Sequence, residues 1–355
     1  MIIVYGYILF CIGLFTLYLL GKKKANDKIK NQSGEKYQTE YISVIIPFRN
    51  EEAHLPELIK SIQQLSKQPL EFIWVNDHST DKSVSILETK LTNQNHTLLH
   101  LPEELTGKKN ALTFGISKAK GEYILTWDAD ITVCSNFFQQ LERYAINALS
   151  ILPVEMKQAN KKTAFFAIEF EFLNQLNYAV FGLKRPILAN GANLLFDKSI
   201  FNQLQPYQNN LTIASGDDQF LLKQFTENKQ SISYLRDNSL TVTTKTPKAI
   251  NQCLNQRIRW ASKTQKVNDH LANAIGGLGM AYHFSPILFL SLSFDYFLIT
   301  FLLKNIFDFI ILEKKFNPRN IFTSFIFSFL YPFYVVTLGI VSLFTKVEWK
   351  DRVII

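Results

Sequence analysis

From residue 41 to residue 130 the chain alternates short β-branched runs with helical patterns, and polar clusters fall at the ends of the runs. Residues 41–47 (YISVIIP) read as a buried strand closed by a proline. A helical pattern follows over 51–66, with Leu55, Leu58, Ile59, Ile62 and Leu65 on one face. Residues 71–75 (EFIWV) form a second strand. A helix over 82–91, a strand near 98–101, a helix over 108–119 and a strand over 123–127 continue the series. Strand, helix, strand, helix specifies an α/β fold: a mainly parallel, Rossmann-like sheet with helices on both faces. Ligands of such sheets sit beyond the carboxyl ends of the strands. Arg49-Asn50-Glu51, Asn76-Asp77-His78-Ser79 and Asp128-Ala129-Asp130 all fall there, and this coincidence locates a candidate site.

The two ends of the chain are built differently. Residues 2–20 are an uncharged apolar run followed at once by Lys22, Lys23 and Lys24. Roughly twenty apolar residues span a bilayer core. A secretory signal carries its charges before the apolar run, and Leu19-Leu20 is a poor cleavage site, so the run reads as a retained anchor. The positive-inside rule places the lysines and the domain after them in the cytoplasm. Three more apolar segments lie near 272–292, 294–312 and 321–344. The first is Gly-rich, broken by His283 and Pro286, and reads as a span or an interfacial helix. The second carries Lys304 and Asp308, spaced to pair on one helix face. Ionisable groups at depth are costly unless paired, so pairing is the expected role of these two. The basic loop 313–319 is expected in the cytoplasm; if all three segments span, the C-terminus ends outside.

Charge and cysteine narrow the class. A net charge of +8 over 355 residues suits a protein beside anionic headgroups. No basic, aromatic-studded motif marks a nucleic-acid surface, so no nucleic-acid partner is expected. Cys11, Cys134 and Cys253 are far apart, lack metal-ligand spacing and are odd in number, which argues for a reducing compartment.

Several residues carry chemistry, each beside an ordinary alternative. Asp128 and Asp130 follow a strand, where the turning chain can bring both carboxylates onto Mg²⁺ or Mn²⁺ that also bridges substrate phosphates; surface turn acids are the ordinary reading. Asp77, at the end of another strand, is placed to hydrogen-bond a base or ribose, although Ser79 or Thr80 could equally build a plain helix cap there. Lys108 opens a helix, where a cation favours phosphate, or is simply solvated. Asp217 and Asp218 open an amphipathic stretch; one could be a general base, and acids in a first turn also suit the helix dipole. Gln256, Arg259 and Trp260 share a helix face that fits a diphosphate and a sugar ring, or anchors at a membrane interface. Asn190, Gly191, Ala192 and Asn193 form a sugar pocket or a turn.

The order of these motifs resembles the membrane-integrated family-2 glycosyltransferases of GT-A fold. The resemblance runs from Val44-Ile45-Ile46-Pro47-Phe48-Arg49-Asn50-Glu51-Glu52 through Asn76-Asp77, Gly107-Lys108 and Asp128-Ala129-Asp130 to Asn190–Asn193, Asp217-Asp218 and Gln256-x-x-Arg259-Trp260. It implies inverting transfer from a nucleotide-sugar, UDP- or GDP-linked, to a lipid or glycan acceptor at the membrane. It implies that Pro47, Arg49, Glu51, Asp77 and Lys108 serve the donor, that Asp128 and Asp130 serve its diphosphate and the metal, and that Asp218 is the base beside Asp217. The family often has Glu-Asp where this chain has Asp217-Asp218, and Asp-Asp where it has Asn76-Asp77. The expected layout is an anchor at 1–21, a linker at 22–40, the transferase domain at 41–246, an amphipathic interface helix at 247–270, a membrane region of two or three spans at 271–345 and a tail at 346–355. The cell membrane, with a cytoplasmic catalytic domain, is the expected location. A processive polysaccharide synthase and a non-catalytic nucleotide-sugar-binding membrane protein are the competing readings. A nucleotidyltransferase would need a Gly-rich basic loop after the first strand, and Phe48-Arg49-Asn50-Glu51-Glu52 is not one. The large polar middle argues against a transporter.

Overall fold

The structure is a computed structural model that describes residues 2–91, 94–211, 213, 215–312, 321–344, 347–349 and 352–354. The basic loop 313–319 and part of the tail lie outside the described residues. In chain order the elements are α1 (Ile2–Lys30), β1 (Ile42–Phe48), α2 (Leu55–Gln63), β2 (Glu71–Asn76), α3 (Ser83–Lys90), β3 (His96–His100), α4 (Lys108–Lys118), β4 (Tyr123–Trp127), α5 (Phe137–Leu141), β5 (Leu149–Ile151), β6 (Val154–Lys157) and α6 (Ala164–Leu183). There follow β7 (Asn193–Asp197), α7 (Lys198–Leu204), α8 (Asp217–Glu227), β8 (Ile232–Tyr234), β9 (Val242–Lys245), α9 (Ile250–Val267), α10 (His270–Phe289), α11 (Phe294–Ile311), α12 (Ile321–Phe344), β10 (Val347–Trp349) and β11 (Arg352–Ile354). They group into two compact units.

One unit holds residues 29–157, 189–245 and 346–355. Its centre is a seven-stranded sheet in the order β3-β2-β1-β4-β7-β5-β8. β1, β2, β3 and β4 run parallel, β7 is antiparallel to both β4 and β5, and β8 is parallel to β5. This is the mainly parallel α/β sheet that the alternating pattern predicts. β1 and β2 are buried along their whole length, which explains their near-continuous apolar runs. Glu71 can be buried in β2 because Ser43 Oγ and the Lys120 N–H donate to its carboxylate at 2.7 and 2.6 Å.

The chain moves outward from β1 to β2 to β3, then returns to place β4 on the other side of β1. Such a reversal opens a crevice at the carboxyl ends of the two central strands. Pro47 contributes to the opening. It has no N–H to donate, and the β1–β4 ladder stops two residues before it, at Ile45 paired with Thr126.

His96 supplies a test of this packing. Its ring stacks on Phe72 at 4.8 Å, and its Nδ1 accepts from Trp74 Nε1 at 3.1 Å. Burial pulls its pKa from the ordinary histidine value down to about 4. A protonated ring would aim a second donor at the indole N–H. The unfolded chain takes up this proton first, so the stabilising contribution is complete above about pH 6.5 and is lost as pH falls through 4. The wild type should therefore lose on the order of 2 kcal/mol relative to His96→Phe over that window, read as the pH dependence of the difference in unfolding midpoints. A difference that is flat with pH would refute it.

The other unit holds residues 1–28, 158–188 and 246–345 and is helical. α1 continues past the end of the apolar run at Leu20 through Lys22, Lys23 and Lys24, because lysine and alanine are good helix formers. Gly21 and Gly182 let α1 and α6 cross closely: a Cβ on Gly21 would lie 2.3 Å from Ala179 O, and one on Gly182 would lie 1.9 Å from Gly21 O. Tyr18, Phe172, Phe327 and Tyr331 form one apolar cluster, and Tyr7, Cys11, Tyr282 and Phe289 another. Lys304 and Asp308 pair at 2.5 Å, as their spacing requires. Ser328 also accepts from the Lys304 ammonium, and Tyr282 donates to Asp308 at 3.0 Å. The pair is thereby saturated by protein groups, which is the condition for burying it.

Among the described residues, α1 and residues 325–344 of α12 are long and apolar enough to cross a membrane. α11 carries Asp295, Lys304 and Asp308. Leu9, Leu17, Phe294, Ile306, Phe329 and Phe344 of this unit are exposed. Cys11, Cys134 and Cys253 are free thiols.

Candidate functional site

The site is assembled in the sheet-bearing unit at the carboxyl ends of β1, β2 and β4. Where β1 and β2 end, Asn50 and His78 both take left-handed backbone conformations, with φ of 50° and 55°. Such conformations are costly for residues other than glycine and need fixing by their surroundings. The Asn50 N–H donates to Ser79 Oγ at 3.1 Å, and Asn50 Oδ1 accepts from the Thr80 N–H at 2.8 Å. Glu52 and Asp81 clasp the same two loops: Asp81 accepts from the Glu52 N–H, and Glu52 accepts from the Lys82 N–H, both at 3.0 Å. Arg49 donates to the carbonyls of Asp77 and His78 at 2.9 and 2.7 Å, so it holds the turn that presents Asp77.

Asp77 is buried, and both its carboxylate oxygens lie 3.1 Å from the Gly107 N–H. Gly107 has φ 92° and caps the start of α4, a conformation that disfavours any residue with a Cβ. The next residue, Lys108, bridges two acids. Its ammonium lies 2.7 Å from Asp128 at the end of β4 and 2.9 Å from Asp217 at the start of α8. Burial lowers the proton affinity of this lysine, and the Asp128 and Asp217 carboxylates more than reverse that, holding its pKa above the ordinary lysine value. Contacts thus run without a break from Asp77 through Gly107 and Lys108 to Asp128 and Asp217, with Asp218 next in the chain.

Gly191 packs against this bridge. A Cβ there would fall 2.5 Å from Asp217 Oδ2 and 2.9 Å from Lys108 Nζ. The Gly191 carbonyl accepts from Thr126 Oγ1 on β4 at 2.9 Å. Asn190 makes the turn, its Oδ1 accepting from the Ala192 N–H at 3.0 Å. Ala192 and Asn193 are buried. The Asn193 amide accepts from Trp127 Nε1 at 3.3 Å and donates to the carbonyls of Pro153 and Leu240, each at 2.9 Å. Of this tetrad, the structure brings Gly191 to the acids and commits the Asn193 side chain to the core.

Asp130 is exposed to solvent. The protein around it, then Asp128 and Glu51, push its pKa up to about 6, against weaker lowering by His54 and by the hydrogen bond from Thr244 Oγ1 at 3.1 Å. Glu51 itself lies 2.7 Å from His54. Among the described residues no group of three acid, histidine or cysteine side chains converges as a complete metal cage. Asp128 and Asp130 nevertheless suit a hard cation that takes one or two carboxylates and completes its shell with phosphate and water. The accumulation of negative charge that hinders ionisation of Asp130 is what a divalent cation would relieve.

Gln256, Arg259 and Trp260 lie on α9 of the helical unit. Arg257, which the sequence pattern passes over, touches two of them, Gln256 and Trp260. It is buried, donates to Glu169 of α6 at 2.8 Å and to the Phe166 carbonyl at 2.9 Å, and hydrogen-bonds Gln256 Oε1 at 2.5 Å. Its guanidinium lies 4.3 Å from the Trp260 ring centroid. Glu169, an acid set among the apolar residues at the start of α6, is the sequence signal that could have found it. Tyr207 also escaped the sequence reading. It is buried, and burial, then Asp217 and Asp218, hold its hydroxyl pKa far above the ordinary tyrosine range, so it sits within their field.

Residues 43–202 match the family described as glycosyl transferase family 2. The chain carries a family-2 glycosyltransferase domain. Glycosyltransferase GlyG of Streptococcus pneumoniae serotype 4 is 36% identical over 103 residues, which is 29% of this chain and 34% of that protein. The undecaprenyl-phosphate 4-deoxy-4-formamido-L-arabinose transferase of Proteus mirabilis is 38% identical over 95 residues, 25% of this chain and 29% of the relative. The matches therefore span about a third of these relatives' own length. The solved mannosyltransferase PcManGT of Pyrobaculum calidifontis, in complex with GDP-Man and Mn²⁺, superposes with a TM-score of 0.58 at 16% identity. That superposition covers 96% of this chain and 99% of the other, and it shows the shared GT-A fold.

Proposed function

We propose that this protein transfers a sugar, with inversion, from a nucleotide-sugar donor to a hydroxyl of a lipid or lipid-linked glycan at a membrane. The observation that carries the reading is the Lys108 bridge, which joins an acid at the end of β4 to the acid pair opening α8. A cation at the start of a helix, between two acids of different elements, is placed to take up the charge that develops on a leaving diphosphate. Asp77 and the loop held by Arg49 would receive the nucleoside, with Pro47 and Glu51 beside them at the strand end. Asp128 and Asp130 would hold Mg²⁺ or Mn²⁺, which when bound supplies Lewis-acid stabilisation of the departing nucleoside diphosphate. Asp218 would accept the acceptor's proton. Gln256, Arg259 and Trp260 would serve donor and sugar, and Asn190 and Gly191 the sugar pocket. UDP and GDP are the candidate carriers.

The lipid acceptor is favoured by the two membrane-grade helices and by the relative that is named an undecaprenyl-phosphate transferase. The lysines after the first apolar run favour a transferase domain in the cytoplasm, and the cell membrane is the proposed location. The test is incubation of the reconstituted protein with a panel of nucleotide sugars and lipid extracts, following nucleoside diphosphate release and the product. Release tied to a single glycosylated lipid is expected. A ladder of products would replace single transfer by processive synthesis, and no release with any donor would overturn the reading. Exhaustive chelation should lower transfer at least about a hundredfold, and Mn²⁺ or Mg²⁺ should restore it. Transfer that survives chelation would remove the metal from the proposal.

A further inference from the structure

Lys109 is a buried ammonium to which the proposed transfer assigns no role. It is 3% exposed. Its Nζ donates to the carbonyls of Asn210 at 2.8 Å and Ile213 at 2.9 Å, and it lies 4.3 Å from the centroid of the Phe220 ring. Removing a charge from water is expensive unless dipoles replace the lost hydration. Two carbonyls and an aromatic face are such replacements. A methionine would fill a similar volume with no charge to desolvate, so a lysine here points to what the ammonium holds in place.

What it holds is the segment between α7 and the first turn of α8, which ends in Asp217 and Asp218. Lys108 and Lys109 both belong to the first turn of α4. One reaches the segment through the Asp217 carboxylate, the other through its backbone and Phe220. Within the segment Asn210 Nδ2 donates to the Pro206 carbonyl and the Ile213 N–H to the Asn210 carbonyl, while the buried Asn210 Oδ1 has no partner among the described residues.

We propose that Lys109 is a positioning residue for Asp218, fixing the first turn of α8 against the start of α4 so that base and donor keep one geometry. This rests on the proposed sugar transfer. A displacement of about 1 Å between reacting groups can cost on the order of a hundredfold in rate.

The experiment compares full-length wild type, Lys109→Met and Phe220→Leu in lipid nanodiscs. It measures kcat, donor KM, nucleotide affinity and amide hydrogen exchange over residues 205–227. Lys109→Met should lower kcat between about ten- and a hundredfold, leave donor KM and nucleotide affinity within about twofold, and speed exchange across the start of α8. Phe220→Leu should show the same pattern, more weakly. Unchanged kcat, or kcat and donor affinity falling together, would overturn the proposal. If Lys109→Met fails to fold, Phe220→Leu decides by the same criteria. A wild type that transfers no sugar would sink the transfer reading instead, and exchange unaltered in both variants would sink the clamp regardless of activity.

Discussion

Asp218→Asn should abolish sugar transfer, by about 10³-fold in kcat, while donor affinity stays within about twofold of the wild type. Two neighbouring acids open α8, and their surroundings differ. Asp217 is 8% exposed and lies 2.9 Å from the Lys108 ammonium. A carboxylate whose lone pairs are engaged by a cation is a poor proton acceptor. Asp218 is only partly buried, and its Oδ1 accepts the Gln219 N–H at 2.8 Å, which fixes its rotamer at the mouth of the helix. The amide of asparagine keeps that shape and loses the basic oxygen. Asp217→Asn should behave differently: it releases one arm of the Lys108 bridge and should weaken donor affinity and kcat together. Nucleotide titration by calorimetry, alongside single-turnover transfer, separates the two patterns. If Asp218→Asn lost donor binding as fully as it lost transfer, Asp218 would not be the base.

The parallel half of the sheet is legible in the sequence because its central strands are near-continuous apolar runs buried on both faces, as β1 and β2 show. The far half is not. β5 and β8 are three residues each, too short for a periodic signal, and long-range pairing with β7 and with each other holds them. The helical pattern over 51–66 also overstates α2, which begins at Leu55. Asn50 turns left-handed, and the Glu52 backbone and carboxylate are drawn into the clasp with Asp81 and Lys82, so tertiary contacts override local propensity there.

Site residues divide in the same way. Asp77, Asp128 and Asp130 are readable because they end strands, and topology alone carries strand ends to one edge. The partners of Lys108 are not readable. Its place at a helix start points to phosphate, but no spacing announces that it joins acids from β4 and α8. Arg257 and Tyr207 are hidden for another reason: each looks like a surface or core residue until the acid that faces it is known. Gly191 stands between these cases, because its small size is visible in the sequence and the reason for it is not.

That reason makes Gly191→Ala the sharper test of the bridge. The added methyl would sit 2.5 Å from Asp217 Oδ2 and 2.9 Å from Lys108 Nζ, both far inside contact distance. Both atoms are ends of side chains, so the clash can be relieved by moving them and leaving the backbone in place. Gly191 itself keeps a negative φ, so alanine brings no conformational strain. The unfolding midpoint should therefore shift by no more than a few degrees, as for a surface substitution of about 0.5 kcal/mol. Transfer should fall on the order of a hundredfold or more, because Lys108 can no longer span Asp128 and Asp217, and stabilising charge as it develops is one of the strongest means an enzyme has of lowering a barrier. Gly182→Ala is the contrasting control: its methyl would meet the backbone oxygen of Gly21 at 1.9 Å, which side-chain motion cannot relieve, so stability should collapse there. Measuring kcat per folded molecule beside thermal unfolding distinguishes the two glycines. A Gly191→Ala protein that folds and transfers sugar at the wild-type rate would show that the Lys108 bridge plays no part in the reaction.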